Sequence, residues 1–381
     1  MTKRHQKKNL SPKGAEIYVN NFQEEKNMKK RVLATALAAA MAGSMLAGFT
    51  TQAEDLGDPV TLTVTLTAVS TDTHAQAMQE FKKTVEELSG GNITVEVYTD
   101  AQLFSQEEEV AAVVMGDADM TLTSASWLTT GSPWVSMFTA GYLFNSYDHM
   151  TATLNGEVGE EVFQKISEEQ GLLPLGAWYL GSREISLSED KAVKTPEDLN
   201  GVNLRMPNSE AWLFLGEALG ANPTPMSFSE LYLALQTGAV DGQDNPLGSV
   251  ESAKFYEVQK SITLTHHLVD SVWPAINTEK WNSLTDAQKD IILKGVEAGR
   301  DYCDTTNLQK EEELVAFFEE QGLSIYEADI PAFQEHVLNY YLDNEISADW
   351  DMEMYDKVAA IGADLGGAVA EAESETEAMT E

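Results

Sequence analysis

Between Val60 and Val97 the apolar residues change period, from two to about 3.6 and back to two, and few folds accommodate that order. Val60, Leu62, Val64, Leu66 and Ala68 alternate with Thr61, Thr63, Thr65 and Thr67, which predicts a strand with one buried face. Met78, Phe81, Val85 and Leu88 then recur at helical spacing, ending near Gly90-Gly91. Ile93, Val95 and Val97 alternate again. A helix from about Gln106 to Met115, closed by Gly116, leads to a short strand at Met120–Thr123. A strand–helix–strand–helix order joins neighbouring strands by crossovers, so the chain is predicted to be α/β with parallel strands.

The second half has the same grammar. Thr195 caps a short helix that begins at Pro196 and exits at Gly201. Ser227 and Glu230 have the spacing of a capping box, opening a helix Phe228–Thr237 that stops at Gly238. Thr285 and Gln288 repeat that spacing before a long amphipathic segment reaching about Gln321. At 381 residues, 43% of them hydrophobic, the chain has material for two domains and shows no internal repeat.

Charge narrows the partners. Lys and Arg number 24 against 62 Asp and Glu, a formal net charge of −38. Nine of the basic residues and three of the acidic ones lie in the first 53, so the remainder carries 15 against 59, a net −44. Nucleic acid is excluded as a partner, because phosphate binding needs clustered Lys and Arg. Such acidity serves solubility or salty surroundings, and any anion site must supply strong local positive charge.

Lys29-Lys30-Arg31, the apolar run Val32 to Phe49 and Thr51-Gln52-Ala53 read as a secretory signal removed after Ala53. Residues 1–53 are therefore predicted to be lost, with Met28 an alternative start. Phe49 stands where a lipidated cysteine would follow Leu46-Ala47-Gly48, so no lipid anchor is expected and the product is periplasmic or otherwise extracytoplasmic. Cys303 is the single cysteine, which excludes an intrachain disulfide and a cysteine-based metal site. The acidic end of the chain (368–381, including Glu371 to Glu381) is predicted to be disordered.

The stretch Asn203 to Gln259 is the most specific. Arg205 ends a short apolar run (Val202, Leu204, Met206), and Asp241-Gly242-Gln243-Asp244-Asn245-Pro246 reads as a turn. In so acidic a chain, an arginine in so ordered a setting calls for a fixed anionic partner. This stretch resembles the signature region of the extracytoplasmic solute-binding subunits of TRAP (tripartite ATP-independent periplasmic) transporters, over about Val60–Leu365. The resemblance implies a two-domain, type II periplasmic-binding-protein-like fold with a hinge and an inter-domain ligand cleft. It also implies segments that cross between domains: 54–181 plus 271–310 in one, 182–270 plus 311–367 in the other.

By the same resemblance, Arg205 takes a ligand carboxylate and Arg183, in Gly181-Ser182-Arg183, assists it. Arginine suits this role because its planar guanidinium offers two parallel donors and stays charged when buried. Asn245 matches a residue that contacts the same carboxylate, although an asparagine before proline is also a common turn residue. Phe228 either packs on the ligand or fills the start of a helix. Asn208 is a further pocket candidate or an ordinary loop residue. At the other wall, Thr67 and Ser124 stand where sialic-acid binders of the family place Asn and Glu, which argues against sialic acid. Trp127 and Trp178 lie near that mouth in sequence terms, as rim for a smaller acid or as packing.

The implied ligand is a small carboxylate, of the C4-dicarboxylate, keto acid or uronate class, delivered to TRAP membrane permease subunits. No catalytic residue, cofactor or metal site is predicted: HExxH, GxSxG, P-loop and GxGxxG signatures are missing, and His266-His267 point apart on a strand. Two rivals remain: a chemoreceptor-type sensor of the same acids, and a secreted enzyme acting on acidic sugars.

Overall fold

A computed structural model describes residues 56–365, in which ten strands form one mixed sheet. The segment 1–53, read above as a secretory signal, and the acidic tail 368–381, read as disordered, lie outside the described residues. The strands are β1 (Val60–Thr65), β2 (Ile93–Tyr98), β3 (Met120–Thr123), β4 (Leu172–Pro174), β5 (Trp178–Leu187), β6 (Asn203–Met206), β7 (Asn222–Pro225), β8 (Gly242–Pro246), β9 (Ser261–Asn277) and β10 (Ser324–Glu327). Their order is β2-β1-β3-β9-β5-β8-β6-β7, with β4 and β10 also paired to β9.

The expected crossovers give parallel pairs at both ends, β1 with β2 and β3, and β6 with β7 and β8. The middle is antiparallel: β9 runs against β3, β4 and β5, and β5 against β8. β9 is 17 residues long and all but His266 are buried, so one strand serves both halves of the sheet. The helix Asp286–Glu320 does the same on one face. Its Ile292, Val296 and Cys303 join a core with Leu62, Phe81 and Trp178, while Leu314 and Phe318 join another with Leu231, Phe255 and Ile262. The last helix, Met352–Asp364, packs through Met354 and Val358 into a core with Met150, Phe163 and Trp273 that also includes Val269.

Local chemistry explains most element ends. Asp72 caps the helix Thr73–Leu88 through the His74 amide, and Thr285 and Gln288 form the expected reciprocal cap of the long helix. Ala75 and Ala77 rather than Leu88 complete the buried face of the first helix, since Leu88 is 53% exposed at its frayed end. Ser227 does not cap a helix: its hydroxyl donates to Glu107, a single 3-10 turn Phe228–Glu230 follows, and the α-helix is Leu231–Thr237. The segment read as a turn at 241–246 is instead β8, fully buried between β5 and β6. Trp178 is core rather than rim, fully buried with its Nε1–H donating to the Val296 carbonyl at 3.1 Å.

Where β5 crosses from one half of the sheet to the other, its ladder with β9 is broken at Tyr179/Gly181 and again at Arg183/Ile185. Gly181 has φ +131, and a Cβ there would lie 2.7 Å from Pro246 Cβ, so only glycine fits. Backbone donors freed by the first break are met by acids of the long helix. The Tyr179 amide donates to Asp304 at 2.7 Å, and the Ser182 amide to Glu311 at 2.6 Å. The second break is met by Glu184, whose carboxylate accepts from the His266 amide at 2.8 Å.

Burial pushes the Asp304 carboxyl up, from 3.8 to about 6. The native state then holds this proton more tightly than the unfolded chain, so the stability it contributes is present at low pH and lost as pH rises through about 6. Denaturant unfolding of wild type and Asp304→Asn should show wild type losing on the order of 2–3 kcal/mol relative to the variant between about pH 4 and 7. A pH-independent difference would contradict this account.

Candidate functional site

β6 delivers Arg205 to the wall of a cavity, and the strand's apolar alternation explains why the guanidinium is held so firmly. Leu204 and Met206 are buried in the core behind it, and Arg205 itself is 1% exposed. Its Nε and Nη2 donate to the Met226 carbonyl at 2.9 and 2.7 Å. Among the described residues it forms no salt bridge. Burial lowers its pKa to about 10, so it remains a cation at neutral pH. The Phe228 ring lies 6.0 Å from its Cζ and packs edge-on against Phe255 at 5.6 Å, so Phe228 both lines the cavity and fills the core.

Arg183 is placed differently. From β5 its Nε meets Asp244 at 2.7 Å, its Nη1 meets Asp270 at 2.9 Å, and its Nη2 reaches the Asp244 carbonyl at 2.8 Å and Asn245 Oδ1 at 3.2 Å. The Trp212 ring sits 4.3 Å from its Cζ. The fixed anionic partners expected for Arg205 thus belong to Arg183. Burial alone would raise the Asp244 carboxyl, but the Arg183 charge and a hydrogen bond from His267 hold it well below the usual range. Burial wins at Asp270, whose carboxyl is raised despite Arg183. His266, next in the chain to His267, turns outward and pairs with Glu184 at 2.7 Å.

The cavity brings together Arg183, Arg205, Asn245, Phe228, Thr67, Ser124 and Trp127. Asn208 is not among them. It is exposed and lines an outer groove with Trp127, while its neighbour Pro207 faces the cavity. Residues that sequence reading passed over complete the walls: Asp72, His74, Gln106, Glu109, Trp212 and Asp270. Glu109 had a legible signal. It is the last of three glutamates, and only it shares a helical face with the buried Ala112 and Val113. Asp72 accepts from the Ser252 hydroxyl at 2.8 Å and Glu107 from Ser227 at 2.6 Å, which ties the β1–β3 side of the cavity to the β6–β8 side.

Residues 65–346 match the family described as bacterial extracellular solute-binding protein, family 7. The chain belongs to this family. It is 34% identical over 278 residues to the sialic acid-binding periplasmic protein of Vibrio cholerae, covering 73% of this chain and 85% of that one. A TRAP periplasmic solute-binding protein of Roseobacter denitrificans, solved with bound 3-deoxy-D-manno-oct-2-ulosonic acid, is 41% identical with a TM-score of 0.77. That match covers 80% of this chain and all of the other. Another from the same organism, solved with L-galactonate, is 28% identical with a TM-score of 0.73 over 80% and 99% of the two chains. The family 7 protein described here is accordingly a solute-binding protein of the TRAP type and not an enzyme. Among its described residues no helix is long and apolar enough to cross a membrane.

In this solute-binding protein the Arg183 cluster is a structural demand as well as a wall of the site. Asp244→Ala should destabilise the fold by about 3–5 kcal/mol in urea titrations, because it leaves a buried guanidinium short of a carboxylate. Removing the exposed Glu353, 3.6 Å from Lys357, should change little. Equal effects of the two substitutions would show that the cluster does not carry the load assigned to it.

Proposed function

We propose that this protein captures an organic acid by clamping its carboxylate on Arg205 and presents it to a TRAP membrane permease. The supporting observation is a buried arginine that lines a cavity with no carboxylate paired to it among the described residues, in a chain of net charge −38. A guanidinium in that position is costly unless an anion joins it, and a ligand carboxylate accepts its donors in a low-dielectric setting. Arg183, fixed by Asp244 and Asp270, holds Asn245 through its Oδ1 and so sets the shape of the carboxylate seat. Phe228 covers the apolar side of the ligand.

Capture proceeds by closure of two lobes along the expected division, 54–181 plus 271–310 against 182–270 plus 311–367, with the last helix packed mainly against the first lobe, flexing where β5 and β9 cross. Sialic acid, 3-deoxy-D-manno-oct-2-ulosonic acid and L-galactonate, named for three relatives, are carboxylic acids, and sn-glycerol-3-phosphate, bound to another, is also an anion, which agrees with an arginine seat. Export through the segment ending at Ala53 would place the protein where an extracytoplasmic permease face can receive it.

Thermal-shift titration of wild type and Arg205→Ala against C4-dicarboxylates, 2-keto acids, uronates, sugar acids and neutral sugars tests the clamp. A carboxylate should raise the melting temperature of wild type only, and Arg205→Ala should lose about 2–5 kcal/mol of binding free energy. Equal shifts in both proteins, or a shift with neutral sugars alone, would refute the arginine seat.

A further inference from the structure

Glu109 is the one carboxyl group in the cavity wall that no cation accompanies among the described residues. It is 4% exposed and opens the helix Glu109–Met115. The Thr65 hydroxyl, itself fully buried on β1, lies 3.5 Å from its Oε1. Thr67 and Thr121 stand beside it, and their buried hydroxyls have no close hydrogen-bond partner. Thr65 and Thr121 lie on β1 and β3 and are fully buried, although the alternation over Val60–Ala68 predicts one buried apolar face with the threonines on the other, and such lapses from patterning are found where function requires them.

The rest of the cavity has its charges accounted for. Arg183 is matched by Asp244 and Asp270, and Asp72 is matched by His74 at 2.6 Å. Arg205 alone is left to balance an incoming anion. It comes from β6, separated from β1 by four strands in the sheet order, so the cationic seat and the Glu109 wall belong to opposite halves of the sheet. Building on the carboxylate seat of Arg205, we propose that Glu109 is the specificity-determining residue of the opposite wall. It hydrogen-bonds the hydroxyl-bearing end of a sugar acid with one carboxylate, and it excludes dicarboxylates.

The chemistry has two parts. Burial pushes the Glu109 carboxyl well above the usual range, against smaller opposing contributions from the threonine hydroxyls. Ionised or protonated, this carboxyl accepts from a ligand C–OH, and when protonated it also donates to a hydroxyl or carbonyl. A second ligand carboxylate at this wall would be buried beside Glu109 and Asp72 with no arginine or lysine there to compensate it, which carries a large desolvation cost. The site therefore fits aldonic or ulosonic acids and rejects C4-dicarboxylates.

Isothermal titration of the purified protein with D-galactonate, 3-deoxy-D-manno-oct-2-ulosonate and succinate tests this. Wild type should bind one of the sugar acids about 100-fold or more tighter than succinate. Glu109→Leu should weaken that sugar acid by about tenfold or more, while Glu109→Gln, which keeps a donor and an acceptor, should stay within about fivefold. Sugar-acid binding by Glu109→Leu within about twofold of wild type overturns the assignment. So does succinate binding to wild type as tightly as the sugar acids, a result that needs no variant to fold. If Arg205→Ala abolishes binding while Glu109→Leu leaves it intact, the arginine seat stands and this inference falls. If neither sugar acid binds wild type, this inference falls, and the arginine seat is then judged by the wider thermal-shift panel.

Discussion

Three strands meet at one buried charge cluster. Arg183 on β5 is bonded to Asp244 on β8 and Asp270 on β9, and His267 of β9 adds a fourth member through Asp244. A cluster of this kind contributes little net stability compared with an apolar core, because desolvation offsets most of the attraction. Its contribution is geometric. Each donor of Arg183 has a fixed acceptor, so β5, β8 and β9 are held in one register where the β5–β9 ladder is broken on both sides of Arg183. The cavity wall is the far side of this cluster, and a rigid wall is what recognition of a small anion requires.

Rigidity at the wall contrasts with the construction around it. β9 and the helix Asp286–Glu320 run through both halves of the sheet, and β5 changes register twice between them. The helix acids Asp304 and Glu311 satisfy the amides that the bulge leaves free, so the crossing is hydrogen-bonded without being a regular ladder. Side-chain bonds can shift by small rotations where a ladder cannot, which makes this crossing the natural place for flexing. The Asp72–Ser252 and Glu107–Ser227 contacts then define the closed side of the cavity.

Much of the fold is legible in the chain because period and punctuation are local properties. The alternation over Val60–Ala68, the Thr285–Gln288 cap and the glycine stops at Gly116 and Gly238 each describe what a short segment does alone. Segments whose role depends on neighbours were misread. Gly242-Gln243-Asp244-Asn245-Pro246 has turn composition, yet it forms a buried strand because β5 and β6 supply partners on both edges and Arg183 neutralises its acid. Ser227 has the spacing of a capping residue, yet Glu107 from the other wall takes its hydroxyl. Trp178 and Asn208 carry no local mark of their distance from the cavity, and only packing put one in the core and the other outside.

The sequence by itself determined the α/β class and the family, since each rests on residue order within a few tens of residues, and it marked Arg205 as the candidate carboxylate seat. Tertiary structure decided which arginine is neutralised and which is not. Arg183 and Arg205 lie in similar apolar strands, and nothing in either segment distinguishes them. Asp244 and Asp270 lie 61 and 87 residues from Arg183 in sequence, so the pairing exists only once β5, β8 and β9 are side by side. Glu109 was decided in the same way: a carboxylate in a run of glutamates is ordinary until folding buries it beside three threonines and leaves it facing the cavity.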